Sequence, residues 1–307
     1  MNGDYAIETR QLTKIYSSGW KRRPVRAVDG ISIQIRRGAT FGFLGPNGAG
    51  KTTFVKLLLS AVHPSSGTAR LFGRDSRLPE ARRTVGYLPE NHRFPTYFTG
   101  AGLLDFYASL SGMERARRRR RVDELLQLVG LGQWGGVRIG KYSKGMLQRL
   151  GLAQALMHSP ELLILDEPSD GVDPLGRRQI REILHQLELK GVTIFINSHL
   201  LAEVEMFCRE VAILHQGKLA LSGKVSDLTA GSGYKLAASA VSEPLIAALR
   251  AKASRVEAAN GSAEFLFPTR ELANAAIDLL RAEGCPIESL SICSSTLEEV
   301  FMRTVNA

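Results

Sequence analysis

Residues 45–53, "GPNGAGKTT", combine three glycines with a lysine and two threonines. Their spacing matches the phosphate-loop pattern G-x-x-x-x-G-K-[ST] in full. Glycines allow the backbone to curl until successive N–H groups point at phosphate oxygens. Lys51 supplies a point charge for the β- and γ-phosphates, and the hydroxyl of Thr52 suits a Mg²⁺ ion. The stretch therefore predicts a site for a nucleoside triphosphate.

A second candidate element is the apolar run "LLILDEP" at residues 162–168, which ends in two carboxylates. A continuous apolar run is typical of a parallel strand buried on both faces. Such a strand would deliver Asp166 to its carboxyl end, beside the phosphate loop, where it can hold Mg²⁺ through water. Glu167 follows at once and is placed to orient or deprotonate an attacking water. The alternative is a carboxylate pair that only faces solvent.

A third apolar run, "VTIFINSHL" at residues 192–200, ends in Asn197, Ser198 and His199. Sites in open α/β sheets form where strands end, which favours His199 over the other five histidines as a contact for the γ-phosphate. The alternative is an ordinary surface or packing histidine.

A second anion site is suggested by "YSKGM" at residues 142–146. Ser143 and Gly145 form a polar turn that opens an amphipathic helix, and a helix N-terminus with free N–H groups and a hydroxyl binds anions. The chain thus carries two anion-binding elements about a hundred residues apart.

The elements that must position these residues alternate. Short β-rich runs and longer helical patterns follow one another from Ile7 to about Val225, which predicts a doubly wound α/β core. The turn-rich segment 228–235, "LTAGSGYK", is a candidate linker. Beyond it we expect a small βαββαβ-like domain with a strand at 234–240, a helix at 243–252, a strand pair at 255–268, a helix at 270–283, a strand at 287–293 and a last helix from Thr296.

Composition narrows the class of protein. The 307 residues contain no apolar run of the length that a membrane span requires, and the opening "MNGDYAIETR" has no signal-peptide core. The three cysteines lack metal-binding spacing, which favours a reducing, cytosolic setting. A net charge of +10 suits a polyanionic ligand, nucleic acid or an anionic membrane surface. The run "RARRRRR" at 115–121 has no interleaved aromatics, so a solvated or membrane-proximal helix face is favoured over a nucleic-acid site.

The order of the motifs is specific. Tyr16, the phosphate loop, "GYLPEN", "YSKGM", "LLILDEPSDGVDP" and "NSHL" together resemble the nucleotide-binding cassette of ABC transporters over residues from about 5 to 225. "YSKGMLQRLGLAQAL" and the late "TLEEVFMRTV" are most similar to the separate ATPase subunits of bacterial exporters of antibiotics, polyketides and lipids.

The resemblance implies a P-loop ABC cassette over residues 1–227, with a parallel-sheet core, an antiparallel β subdomain and a helical signature subdomain, followed by a small α+β accessory domain over 228–307. It implies ATP and Mg²⁺ as ligands and ATP hydrolysis as the reaction. It also implies a homodimer that energises export through a separate permease, on the cytoplasmic face of the membrane, and no nucleic acid as partner. In such dimers each signature turn closes over the γ-phosphate that the other subunit holds.

The resemblance also assigns roles to particular residues. It implies that Tyr16 stacks on adenine and that ATP is also bound by Gly45, Pro46, Asn47, Gly48, Ala49, Gly50, Lys51, Thr52 and Thr53. The ATP held by the partner subunit would be contacted by Ser143, Lys144 and Gly145. Mg²⁺ would be bound by Thr52, Asp166 and Glu90, catalysis would be performed by Glu167 and His199, and Asp173 would lie at the dimer seam.

The chain departs from the family pattern in three places. The signature reads YSKGM where LSGGQ is widespread, and Glu90 stands where a glutamine usually contacts Mg²⁺ and water. A carboxylate can still bind Mg²⁺ but adds negative charge beside the triphosphate. Ser169–Asp170 replaces Thr–Ser or Thr–Asn, with no consequence assigned. The rival classes are a soluble ABC ATPase acting on nucleic acid or ribosomes, and a P-loop kinase or GTPase, in which "YSKGM" would have no role.

Overall fold

The computed structural model describes residues 4–17, 24–230, 233–259, 261–293 and 295–306. The chain divides into two compact units, one of residues 1–225 with 304–307 and the other of residues 226–303. The predicted linker at 228–235 includes Gly231 and Ser232, which lie outside the described residues.

Strands and helices alternate through the first unit. They are β1 (Tyr5–Tyr16), β2 (Val25–Ile31), β3 (Gln34–Arg36), β4 (Thr40–Leu44), α1 (Lys51–Leu58), β5 (Ser66–Leu71), β6 (Arg74–Asp75), β7 (Val85–Leu88), α2 (Gly100–Leu110), α3 (Arg115–Leu128), α4 (Lys144–Ala155), β8 (Leu162–Asp166), α5 (Pro174–Leu189), β9 (Thr193–Ser198), α6 (Leu201–Phe207), β10 (Glu210–His215) and β11 (Lys218–Lys224). Short 3₁₀ turns cover Pro79–Arg82, Gly132–Trp134 and Ile139–Lys141.

The central sheet has six strands in the order β11-β10-β4-β9-β8-β7. The five strands from β10 to β7 run parallel, and β11 pairs with β10 in the antiparallel sense. Every residue of β4, β8 and β9 is buried, as the continuous apolar runs predict. The predicted parallel α/β core is confirmed.

A second, antiparallel sheet runs in the order β2-β1-β5-β6, with β3 also paired to β1. One apolar core is shared by residues of this sheet, of α1 and of the parallel strands. Its aromatic centre is formed by Phe43 of β4, Phe54 of α1 and Phe195 of β9, whose ring centroids are 4.6 to 6.2 Å apart. Stacked and tilted rings at this spacing hold α1, which begins at Lys51, against the sheet.

Helices α2, α3 and α4 pack against one another. The arginine run makes up the first two turns of α3. Two of its members contact protein: Arg118 pairs with Asp105 at 3.0 Å, and Arg121 donates to the carbonyl of Leu156, at the end of α4, over 2.7 Å. Val122, Leu125 and Leu126 of α3 are buried, so apolar packing holds the helix in place in spite of its charge, and these two contacts add to it.

The second unit contains α7 (Val225–Thr229), β12 (Gly233–Ser239), α8 (Glu243–Arg250), β13 (Arg255–Ala259), β14 (Ser262–Phe267), α9 (Arg270–Ala282), β15 (Ile287–Cys293) and α10 (Leu297–Asn306), of which α7 begins and α10 ends in residues grouped with the first unit. The predicted βαββαβ order is present. Its four strands pair antiparallel in the order β13-β14-β12-β15, and α8 and α9 supply the helical half of a separate apolar core. Within the described ranges, no helix is both long and apolar enough to cross a membrane.

Candidate nucleotide-binding site

The phosphate loop connects β4 to α1, as its motif predicts. Gly50 caps α1 with φ +105°, and a Cβ there would collide with the carbonyl oxygen of Ala27, so the loop needs glycine at this position. The buried Lys51 ammonium donates to the carbonyl oxygens of Gly45, at 2.7 Å, and Pro46, at 3.3 Å. Burial lowers the pKa of Lys51, and nearby carboxylates oppose that shift. The lysine is thus held inside the curl of its own loop.

A cavity of about 600 Å³ opens beside this loop. The order β4-β9-β8-β7 explains what lines it, because the carboxyl ends of parallel strands meet at one edge of a sheet. The lining residues are Ala27, Asn47, Gly48, Gly50, Lys51, Thr52, Thr53, Glu90, Asp166, Glu167, Asp170, Asn197 and His199.

Asp166 ends β8 directly opposite Asn197 of β9 in the ladder, and the Asn197 side-chain amide donates to the Asp166 carboxylate. Both side chains are buried. Burial raises the pKa of Asp166 to about 6, and Glu90 and Glu167 add to the shift, whereas Asn197 and Lys51 oppose it. Within the described residues, Asn197 Oδ1 is buried without a hydrogen-bond partner. The pair is therefore an incompletely satisfied polar group at the floor of the cavity.

Glu167 has φ +51°, which is uncommon for a residue with a side chain and is found most often at functional sites. Two donors bind its Oε2 atom, the Ser198 hydroxyl at 3.1 Å and the His199 backbone N–H at 3.3 Å, and the His199 Nδ1 atom lies 2.9 Å from the same oxygen. Two residues predicted to act separately are thus in direct contact. With Nδ1 engaged, Nε2 is the His199 ring nitrogen left for a phosphate.

Oxygen atoms suited to Mg²⁺ line the same cavity on Thr52, Glu90 and Asp166. No three or more His, Cys, Asp or Glu residues in the described ranges form a metal cage by themselves. Mg²⁺ does not require one, because it is usually held by one or two carboxylates together with phosphates and waters. The residues fit Mg²⁺.

Glu90 lies on the loop that follows β7, and His92 fastens this loop to α4. The His92 ring nitrogens are 3.2 Å from the Pro89 carbonyl and 3.1 Å from the Leu147 carbonyl. Gly151 of α4 leaves room for this ring, since a Cβ there would lie 3.0 Å from Nε2. The loop after β7, which we call the lid loop, and α4 are therefore linked through one side chain.

The signature turn lies outside the lining of its own chain's cavity. Ser143 caps α4, and its Oγ accepts a hydrogen bond from the N–H of Met146 at 3.2 Å. Ser143 and Lys144 are exposed, and Gly145 is half-buried. The Lys144 ammonium lies 2.9 Å from Asp170 Oδ2.

Five other predicted residues are also not part of the lining: Tyr16, Gly45, Pro46, Ala49 and Asp173. The carbonyl oxygens of Gly45 and Pro46 accept from Lys51. Tyr16 ends β1 with 38% of its surface exposed and has Lys14 Nζ 5.1 Å from its ring centroid. Asp173 caps α5 by accepting from the N–H of Gly176 at 2.7 Å. Ala49 is buried within the loop itself.

Comparison with known proteins identifies the family. The ABC transporter family model matches residues 28–170. An ABC transporter ATP-binding protein of Synechocystis sp. is 38% identical over 97% of this chain and 84% of its own length. The chain belongs to the ABC transporter ATP-binding proteins. It binds and hydrolyses ATP as a subunit of such a transporter.

Two further relatives of this ABC ATPase bear on its fold and branch. The bacitracin transport ATP-binding protein BcrA of Bacillus licheniformis is 41% identical over 69% of this chain and 68% of its own length. The structure of CbiO1 from Clostridium perfringens, part of the ABC transporter complex CbiONQ, matches with a TM-score of 0.65 and 28% identity, over 73% of this chain and 90% of CbiO1. The predicted ABC cassette fold is confirmed.

No role was predicted from the sequence for His92, Gln148 and Asp170, or for the side-chain amide of Asn197. Asp170 lines the cavity, and Gln148 Nε2 lies 3.4 Å from the Glu167 carbonyl. Asp170 and Asn197 could have been found as further polar residues at the ends of buried strands. His92 and Gln148 gave no such signal, because their partners are backbone carbonyls far along the chain.

The pKa of Asp166 yields the first prediction. Because the folded value of about 6 lies above the ordinary 3.8, the stability from this group is present at low pH and lost as pH rises through 6. Asp166→Asn avoids that loss, so its free energy of unfolding without Mg²⁺ or nucleotide should exceed the wild-type value at about pH 8, by about 3 kcal/mol at most. Thermal unfolding between about pH 4 and pH 8 measures the difference, which should shrink towards the acid end.

The exposed carboxylate of Asp123 provides the matched control, and Asp123→Asn should change stability little at any of these pH values. An advantage of Asp166→Asn that stays constant across the pH range would contradict a raised pKa for Asp166.

Proposed function

We propose that this ABC ATPase drives export through a separate membrane permease, as a homodimer that holds ATP and Mg²⁺ between its two subunits on the cytoplasmic face of the membrane. The name of BcrA, a bacitracin transport protein, supports a role in transporting antibiotic-like compounds. The observation that carries the dimer is the position of the signature turn, whose exposed Ser143 and Lys144 lie outside the cavity of their own chain.

This turn has the properties of an anion site. It supplies the N-terminus of a twelve-residue helix, a hydroxyl and a lysine, all of which favour a negatively charged ligand. A nucleotide on the phosphate loop of the same chain would lie in a cavity that this turn does not line. A head-to-tail dimer gives the turn a ligand, because it brings Ser143 and Gly145 over the γ-phosphate held by the partner's loop.

Within each site, the proposed roles follow the contacts. The loop from Gly45 to Thr53 binds the phosphates, and Tyr16 stacks on adenine. Mg²⁺, when bound by Thr52, Asp166 and Glu90, supplies positive charge to the phosphate oxygens. Asp173 lies at the seam between subunits.

Glu167 is the proposed base. Its carboxylate takes the proton of the attacking water, and the hydrogen bonds from the Ser198 hydroxyl and the His199 backbone N–H hold it in place. In this proposal, His199 Nε2 contacts the γ-phosphate. His199 Nδ1 lies beside the Glu167 carboxylate, so both side chains act from the same edge of the cavity.

The proposed base predicts the behaviour of Glu167→Gln. Glutamine keeps the size of the side chain but cannot accept the proton, so ATP turnover should fall by about 10²–10⁴-fold while ATP binding persists. The variant should also accumulate as an ATP-bound dimer, detectable by size-exclusion chromatography. Glu80→Gln, which changes an exposed carboxylate, should hydrolyse ATP normally. Hydrolysis by Glu167→Gln near the wild-type rate would remove Glu167 from the mechanism.

Mixing two inactive variants tests the shared site. Lys51→Ala damages the phosphate loop, and Ser143→Arg fills the signature turn with bulk and charge. In a mixed dimer that shares its sites between subunits, one site carries both lesions and the other carries neither. ATPase activity should therefore return when the two proteins are combined, towards about half that of wild type per mixed dimer if one intact site suffices.

Two controls make the mixing experiment decisive. Mixed dimers must be shown to form, by pulling down one tagged variant with the other. A tandem fusion with one wild-type site must hydrolyse ATP. With both controls met, failure to regain activity would show that Ser143 serves its own chain's nucleotide.

The arginine run supports attachment to an anionic membrane face. Arg115, Arg117, Arg119 and Arg120 are exposed, and none has a partner among the described residues. Clustered cations in the first turns of a helix are unfavourable next to its positive dipole end, and an anionic surface would relieve that cost. Leu110, which ends α2 a few residues before this cluster, is 67% exposed and can enter the headgroup region.

The four exposed arginines provide a test against the rival that acts on nucleic acid. Changing Arg115, Arg117, Arg119 and Arg120 to glutamine should weaken binding to vesicles containing phosphatidylglycerol by at least about tenfold. The matched control removes the same charge by changing four scattered exposed arginines, Arg74, Arg83, Arg250 and Arg281. It should weaken vesicle binding less. ATPase activity that DNA or RNA stimulates strongly, with a steep salt dependence, would favour the rival class.

A further inference from the structure

The ion pair between Lys144 and Asp170 connects the signature turn to the segment that follows β8. The ammonium and carboxylate are 2.9 Å apart. The lysine side chain lies across Gly171, where φ is +62° and a Cβ would collide with Lys144 Nζ. A side chain at 171 would therefore displace the lysine from its present position, and the positive φ also favours glycine there.

The two partners belong to different half-sites of the proposed dimer. Asp170 lines the nucleotide cavity of its own chain, whereas Lys144 follows Ser143 in the turn that would serve the partner's nucleotide. Any role for this ion pair in closing the interface therefore rests on the proposed head-to-tail dimer.

The charge of the cavity explains why Lys144 would be needed there. Four carboxylates line it, on Glu90, Asp166, Glu167 and Asp170, and Lys51 is the only lysine or arginine among the described lining residues. A triphosphate adds more negative charge to the same space. A lysine brought in by the other subunit would offset part of this excess, but Asp170 of its own chain already holds that lysine.

We propose that Asp170 and the γ-phosphate of the nucleotide on the partner subunit compete for Lys144, so that the turn closes only over a triphosphate. Both side chains of the ion pair are more than half exposed, at 61% and 51%, and exposed pairs are weak. A terminal phosphate in a closing interface is the stronger acceptor, since it carries more charge and is less screened by water. ADP offers no γ-phosphate, and Lys144 then stays with Asp170.

Competition and a purely structural role predict opposite changes in the ATP concentration at which Asp170→Asn dimerises. If Asp170 competes for Lys144, the neutral amide releases the lysine, and ATP-dependent dimerisation should need about two- to fivefold less ATP. If the ion pair instead holds the turn in its active position, Asp170→Asn should need more ATP to dimerise. Lys144→Gln should need more ATP under both hypotheses, because it loses the lysine in either case. Sedimentation of proteins that also carry Glu167→Gln measures the ATP requirement without turnover.

Because Asp170 also lines its own cavity, its removal could strengthen ATP binding directly. A direct effect of this kind would persist in the double variant Lys144→Gln/Asp170→Asn, which lacks the lysine. If the gain of Asp170→Asn comes from releasing Lys144, the double variant should need as much ATP to dimerise as Lys144→Gln alone. A double variant that retains the gain of Asp170→Asn would overturn the inference. ADP should dimerise none of these proteins.

Ser143→Arg separates this inference from the proposal on which it rests. If that variant dimerises with ATP as readily as the wild type, the shared-site dimer itself is wrong. If it does not dimerise, and Asp170→Asn fails to lower the ATP requirement, the dimer stands and only the competition for Lys144 is wrong.

Discussion

The register between β4, β9 and β8 is the constraint on which the rest of this site depends. Backbone pairing sets Leu44 opposite Ser198 and Asn197 opposite Asp166, so the phosphate loop, the two carboxylates and His199 all begin where these strands end. A slip of one residue would turn each side chain to the other face of the sheet. The buried aliphatic and aromatic side chains of these strands resist such a slip, and apolar packing therefore fixes the position of the chemical groups.

Several carboxylates lie close together in this site, although like charges repel one another. Asp166 is buried, its pKa is raised to about 6, and Glu90 and Glu167 lie close enough to contribute. Such an arrangement is unfavourable for the isolated fold, and positive charge brought into the cavity would offset part of that cost. The departures from the family's usual residues differ in charge: Glu90 and Asp170 make the cavity more acidic, and Lys144 adds a cation to the signature turn.

Much of this arrangement could be predicted from the sequence, because its signals are local. The apolar runs of β4, β8 and β9 indicate buried parallel strands, and the glycine pattern indicates the loop between β4 and α1. Contacts that depend on packing gave no such signal. The Glu167–His199 contact requires the sheet register, and the link from His92 to the carbonyl of Leu147 spans 55 residues. The left-handed backbone at Glu167 is likewise imposed by its surroundings, since glutamate has no preference for it.

The first turns of α4 collect three of these packing contacts. Lys144 reaches Asp170, Leu147 accepts the contact from His92, and Gln148 Nε2 lies 3.4 Å from the Glu167 carbonyl. Each contact ends on a segment that lines the nucleotide cavity of the same chain: the end of β8, the turn after it and the lid loop that carries Glu90. A shift in any of these segments must therefore displace the turn or break a contact with it. In a head-to-tail dimer, the signature turn over one nucleotide would then be held by the walls around the other, which gives a direct mechanical route between the two sites.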